Sequence, residues 1–142
     1  MKERSDLKGE QMITVLWVRQ GCPPETVRIR NELEEMERLV GGYPEELMPF
    51  DEDVALVCNE GEKYNEPKAN RPVTSHDGRH QDIIYGDFFL CGAPIGAEEY
   101  ESLTPEQIKK YSDMFRIPKN MVMTFAGWKV VPKHARKDEK VR

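Results

Sequence analysis

Seven consecutive positions, Met12-Ile13-Thr14-Val15-Leu16-Trp17-Val18, are almost all apolar or β-branched. Such a run predicts a strand, and its near-continuous apolar character predicts cover on both sides. Gly21-Cys22-Pro23-Pro24 stops it, because proline cannot donate to a strand ladder and restricts the residue before it. Apolar and basic positions alternate in Thr26-Val27-Arg28-Ile29-Arg30, so a second strand returns along the first as a hairpin. Asn31 is then an N-cap candidate, with Glu34 three residues on completing a capping box. Leu33, Met36, Leu39 and Val40 form one apolar stripe of the helix that follows, and Gly41-Gly42 ends it through a left-handed glycine.

Further along, Tyr43 to Phe50 predicts a strand edged by Pro44 and Pro49, and Asp53-Val54-Ala55-Leu56-Val57-Cys58 a buried one. From Asn59 to Asp82 apolar residues are few and turn formers many. That stretch predicts a long loop that either packs through Tyr64 and Val73 or serves binding. Ile83 to Gly92 returns to strand character, with Gly86 at a bulge or tight turn. Leu103-Thr104-Pro105-Glu106-Gln107-Ile108 then carries a full helix start: Thr104 as N-cap, Pro105 at the first turn, Gln107 closing a capping box, and Leu103 stapled to Ile108. Ile108, Tyr111 and Phe115 make its buried face, and Pro118 marks the exit. Met121 to Ala126 predicts a last strand or an apolar arm.

This order of elements predicts an α+β fold, a mostly antiparallel β-sheet with two helices shielding one side. With 142 residues, 38% of them hydrophobic, the chain suits one domain. Residues 11–127 are expected to form that domain, residues 1–10 a flexible N-terminal segment, and residues 128–142 a basic, disordered tail.

Charge sharpens the picture. The chain carries a formal −5, yet residues 25–66 hold thirteen acidic against four basic residues and residues 129–142 hold six basic against two acidic. An acidic body repels a phosphate backbone, while the tail attracts one weakly. No stretch of 18 apolar residues occurs; this predicts a cytoplasmic protein with no membrane partner. Cys22, Cys58 and Cys91 are odd in number and far apart, which argues against a secreted disulfide framework and predicts buried thiols at Cys58 and Cys91.

Candidate chemistry is sparse. His76 and His80 are four apart, but Asp77-Gly78 between them predicts a turn rather than the helix on which that spacing would chelate a metal. Cys22 lacks the second cysteine of a redox pair, and no serine sits in a nucleophile elbow. The residues therefore predict no catalytic, cofactor or metal site. The runs of glutamate and aspartate suit a solvated surface, or a negative surface that recognises a basic partner or imitates nucleic acid. In the central loop, with Lys63 among them, Asn59, Gly61, Asn65 and Asn70 suit turns, and Arg71 beside Pro72 offers a donor fork for an internal carboxylate or for a ligand.

Taken together, Ile13-Thr14-Val15-Leu16-Trp17-Val18, Leu39-Val40-Gly41-Gly42-Tyr43, Val57-Cys58-Asn59-Glu60-Gly61 with Lys63 and Asn65, Asn70-Arg71-Pro72, Ile83-Ile84-Tyr85-Gly86-Asp87-Phe88-Phe89 and Ser102-Leu103-Thr104-Pro105-Glu106-Gln107 give the chain a likeness. It resembles the DUF3846 domain family, found in bacteria and their phages, plasmids and conjugative elements, over roughly residues 12–115. The family brings no activity or catalytic residue to carry over. Its setting implies an accessory role in a mobile element. The expected function is a non-enzymatic protein-interaction domain, an acidic modulator of a host protein, with contacts through Asn59, Lys63, Asn70, Arg71, His76, His80 and Trp128. The alternative is a nucleic-acid-binding accessory protein that uses the tail, with Trp128 stacking on a base.

Overall fold

In the computed structural model, residues 11–61, 69–117, 121–124 and 127–130 are described, the last two segments as backbone. The apolar run Met12–Val18 is β1, and Glu25–Arg30 is β2, its antiparallel partner, with Ile13 opposite Ile29 and Val15 opposite Val27. Helix α1 covers Leu33–Val40, followed by β3 at Pro44–Leu47 and β4 at Val54–Asn59. Strands β5 (Ala69–Thr74), β6 (Gln81–Tyr85) and β7 (Phe88–Gly92) precede α2 at Pro105–Met114. The chain continues through β8 (Met121–Thr124) and β9 (Gly127–Val130). A five-stranded antiparallel sheet in the order β2-β1-β7-β4-β3 forms the centre, with β5-β6 and β8-β9 as separate two-stranded ribbons. The α+β class and the antiparallel sheet follow the sequence reading.

The two described helices lie on opposite faces, not on one. Strands β4 and β7 are apolar at almost every position, so each face of the sheet needs its own cover. Met36, Leu39 and Val40 of α1 pack with Ile13, Val15, Ala55, Val57, Phe89 and Cys91. Tyr111 and Phe115, at α2 and its end, pack with Leu16, Val18, Val54, Leu56, Phe88 and Leu90 on the other side. Odd and even strand residues thus feed different cores, as the two-residue strand period demands.

The start of α1 differs from the expectation. Asn31 is not the cap: Glu32 holds that position without a side-chain capping bond. The side-chain amide of Asn31 is spent on the distant 93–100 loop, where Nδ2 donates to the Tyr100 carbonyl at 3.0 Å. Glu34 completes no box there, and it is Glu35 that reaches back, accepting from the Arg30 backbone N–H at 3.2 Å. Gly41 ends the helix in the left-handed region as expected, with φ of 79°. At α2 the box is complete: Gln107 N–H donates to Thr104 Oγ1, and Thr104 N–H to Gln107 Oε1.

The long loop expected from Asn59 to Asp82 is largely a hairpin, because β5 pairs with β6 from Ala69–Tyr85 to Thr74–Gln81. Pro72 and a bulge between Ala69 and Arg71 disguise it in the sequence. The single strand expected from Ile83 to Gly92 is two. The turn at Gly86 sends β6 to the ribbon and β7 to the middle of the main sheet. Val73 and Ile84 carry the ribbon into the α2-side core. The disordered tail expected over residues 128–142 does not begin at 128, because residues 128–130 belong to β9 and pair with β8. The expected flexible N-terminal segment at residues 1–10, Tyr64, Pro118 and residues 131–142 lie outside the described residues.

Candidate functional site

Asn70 and Arg71, expected at an open binding loop, are buried framework residues. Asn70 Nδ2 donates to the carbonyls of Val18 (3.0 Å) and Gly86 (2.8 Å), which fastens the end of β1 to the β6–β7 turn. Arg71 extends the clamp in three directions. Its Nε donates to the Phe115 carbonyl at 2.7 Å, Nη1 to Asn70 Oδ1 at 2.7 Å and Nη2 to the Cys22 carbonyl at 2.5 Å. Burial lowers its guanidinium to about 10, so it stays charged at neutral pH. The donor fork expected to meet an internal carboxylate or a ligand joins the Gly-Cys-Pro-Pro turn to the end of α2.

The other expected contact residues are dispersed. Asn59 Oδ1 accepts from the Gly61 N–H at 3.0 Å and borders a shallow cleft of about 340 Å³ with Tyr43 and Glu60. His76 and His80 are exposed at the tip of the β5–β6 hairpin. Asp77 organises that tip by accepting from Ser75 Oγ at 2.6 Å and from the Arg79 N–H at 3.0 Å. The Ser75 hydroxyl holds its carboxyl below the ordinary range. Lys63 and the side chain of Trp128 lie outside the described residues. Among the described residues no group of three His, Cys, Asp or Glu side chains is placed to hold a metal ion. Cys58 and Cys91 are buried, and desolvation pushes the Cys91 thiol upward.

A surface the sequence reading did not single out has the character of a site. A cleft of about 610 Å³ opens between the start of α1, the end of β3 and the 93–100 loop. Its apolar lining comes from Leu33, Met36, Met48 and Ile95, and its polar rim from Glu32, Glu46, Glu98 and Glu99; among the described lining residues none is basic. Leu33 is 55% exposed, Met48 45% and Ile95 87%. Met36 lies buried, continuous with the core beneath. Leu33 was expected in the core on the strength of the α1 stripe. It belongs to that stripe, but the stripe runs past the edge of the core into the cleft.

The cleft wall is held in place. Ala93 N–H donates to the Asp53 carbonyl at 2.9 Å, and Gly92 and Glu101 exchange backbone bonds of 2.8 Å. Tyr100 Oη donates to Glu46 Oε1 at 2.6 Å, while the Tyr100 carbonyl receives the Asn31 amide. Burial, and then the Glu46 bond, push the Tyr100 hydroxyl above its ordinary pKa, so it remains a donor at neutral pH. Leu33 of α1, Met48 after β3 and Ile95 on the braced loop thus stand in water, with carboxylates on the rim around them. The signals in the sequence were Leu33 at the head of its stripe and a solitary isoleucine in Ala93-Pro94-Ile95-Gly96-Ala97.

None of the described helices is long and apolar enough to cross a membrane. No curated protein and no solved structure matches the chain. The family described as Domain of unknown function (DUF3846) matches residues 13–116, nearly three-quarters of the sequence, covering both described helices and all of the central sheet but Met12, and the chain belongs to that family.

Proposed function

We propose that this domain is a non-enzymatic protein-interaction module, an acidic accessory protein of a bacterial mobile element that docks a basic surface of a host protein. The observation that carries the reading is the glutamate-rimmed cleft, in which Leu33, Met48 and Ile95 stand exposed. Full burial of one such side chain stabilises a complex by roughly 1.5–3 kcal/mol. The carboxylates select a cationic partner and repel acidic ones. A braced wall keeps the ordering cost of binding low.

A photo-crosslinking residue placed at Ile95, in cells that express the chain, tests this. It should give one dominant adduct that weakens with salt, whereas the same residue at Met114, exposed on α2, should not. Equal adducts from both positions, or none from Ile95, would refute the reading. The cationic segment at residues 129–142 supports a second reading, a backbone-directed nucleic-acid contact. Replacing Lys133, Arg136, Lys137, Lys140 and Arg142 by Gln should then abolish retention of DNA on a filter at low salt.

A further inference from the structure

We infer that the occupant of the cleft is an extended cationic segment of a partner protein, added as a sixth strand to the free edge of β3. The inference rests on the protein-interaction reading above and specifies its chemistry. Strand β3 pairs with β4 on one side, and among the described residues no strand lies on its other side. A free edge presents outward N–H and C=O groups that an extended chain can satisfy, the usual mode of strand addition.

Register places the cleft beside that edge. Glu46 pairs with Val57, whose side chain enters the α1-side core, so Glu46 faces the same side, and Met48 two residues on continues there. Glu45 pairs with Cys58, which belongs to the opposite core, so its carboxylate faces the other way. An added strand would therefore meet one carboxylate on each face. Its alternate side chains would project over the cleft toward Met48, Leu33 and Ile95.

Charge decides what that strand can be. Two copies joined along β3 would bring Glu45 and Glu46 against the same pair, and like charges across a strand pair are destabilising. The short, acidic, proline-headed edge thus rejects its own kind, as protected edges do. Lysine or arginine flanking one or two large apolar residues reverses the sign of every term, because Glu98 and Glu99 on the far rim add to the attraction.

The probe is a fluorescein-labelled decapeptide with leucines at alternate central positions and lysines at both ends, titrated against the full chain by fluorescence anisotropy. Three comparisons are run: the lysines replaced by glutamates, alternate backbone amides N-methylated, and salt raised. We expect each to weaken binding at least tenfold, and Ile95→Asp and Glu98→Lys, both in the exposed loop, to do the same while the circular dichroism spectrum stays unchanged. Failure of the lysine peptide to bind, equal binding of the glutamate peptide, or indifference to N-methylation overturns the inference. Self-association of the free chain that Ile95→Asp abolishes also overturns it, by assigning the cleft to a second copy. If the Ile95 crosslink to a partner persists while N-methylation has no effect, only the strand mode falls. If the peptide discriminates but no crosslink forms in cells, the interaction reading falls instead.

Discussion

Tyr111 and Glu52 share a hydrogen bond that joins helix α2 to the turn before β4, with the phenol fully buried and its hydroxyl donating to Glu52 Oε2. Gln107 Nε2 donates to the other carboxylate oxygen at 3.0 Å, and Lys110 Nζ approaches Oε2 at 3.0 Å. One carboxylate therefore gathers three side chains from successive turns of α2. The Tyr111 bond, ahead of Gln107 and Lys110, holds Glu52 below its ordinary 4.5. Burial, with the same bond second, raises the Tyr111 hydroxyl.

These shifts set the pH response of the fold. A carboxylate with a lowered folded pKa contributes stability that is complete above its unfolded value and is lost as pH falls through the folded one. A phenol with a raised folded pKa contributes stability present below its unfolded value and lost as pH rises above it. Tyr111→Phe should cost about 1.5–3 kcal/mol at neutral pH, since a hydrogen bond to a charged group is lost. It should also flatten the decline in urea midpoint seen on acidification below about pH 4.5. An unaltered acid slope would show that Glu52 owes its shift to its other partners.

A different constraint acts where α1 hands over to β3. A Cβ built on Gly42 would lie 2.6 Å from Asn59 Nδ2 and 2.8 Å from Oδ1. The Asn59 amide is committed to the Gly61 N–H, so it cannot swing aside without losing that bond. Gly42→Ala should therefore cost about 1 kcal/mol or more, the worth of one hydrogen bond plus overpacking. Asn59→Ala should make room for the methyl group. Denaturation of the two single variants and the double variant should show the double to be more stable than additivity predicts, by about 0.5–1 kcal/mol.

A buried guanidinium supplies a larger expected loss. Arg71→Met keeps the length of the side chain but leaves the carbonyls of Cys22 and Phe115 and the Asn70 oxygen without their donor. Unsatisfied buried acceptors cost about 1–3 kcal/mol each. A total of about 3 kcal/mol or more is expected, read as a fall in urea midpoint, with faster hydrogen exchange in β5 and β6 before the central sheet opens. Arg71→Lys should recover only part of it, because one ammonium cannot span three divergent acceptors.

What could be read in advance follows from how local the determining interactions are. The α2 start was legible because Thr104, Pro105 and Gln107 act within one turn and Leu103 and Ile108 close by join the same core. The β1–β2 hairpin and the left-handed Gly41 were legible for the same reason. The hairpin of β5 and β6 was not, since Asn70 and Arg71 look like loop residues until their acceptors arrive from β1, the Cys22 turn and the end of α2. Asn31 misled in the same manner, its amide going to Tyr100, 69 residues away. Which helix covers which face is also a long-range outcome, although the unbroken apolar runs in β4 and β7 already required two covers. The cleft was the least legible feature, because Leu33 matches a core position by period and only the path of the 93–100 loop leaves it in water.

That origin of the cleft carries a stability prediction of its own. Ile95 is 87% exposed, so its side chain adds almost nothing to the folded core. Substitution at an exposed site away from caps and cores changes stability by no more than about 0.5 kcal/mol. Ile95→Asp should therefore leave the melting temperature nearly unchanged and improve solubility by breaking an exposed apolar patch. Leu39→Asp, on the same helix stripe as Leu33 but 2% exposed, should unfold the domain. Thermal melts of the two variants side by side read this contrast directly: an equal loss from both would mean that the 93–100 loop packs through Ile95, and the cleft would then be part of the core rather than a surface held open for a partner.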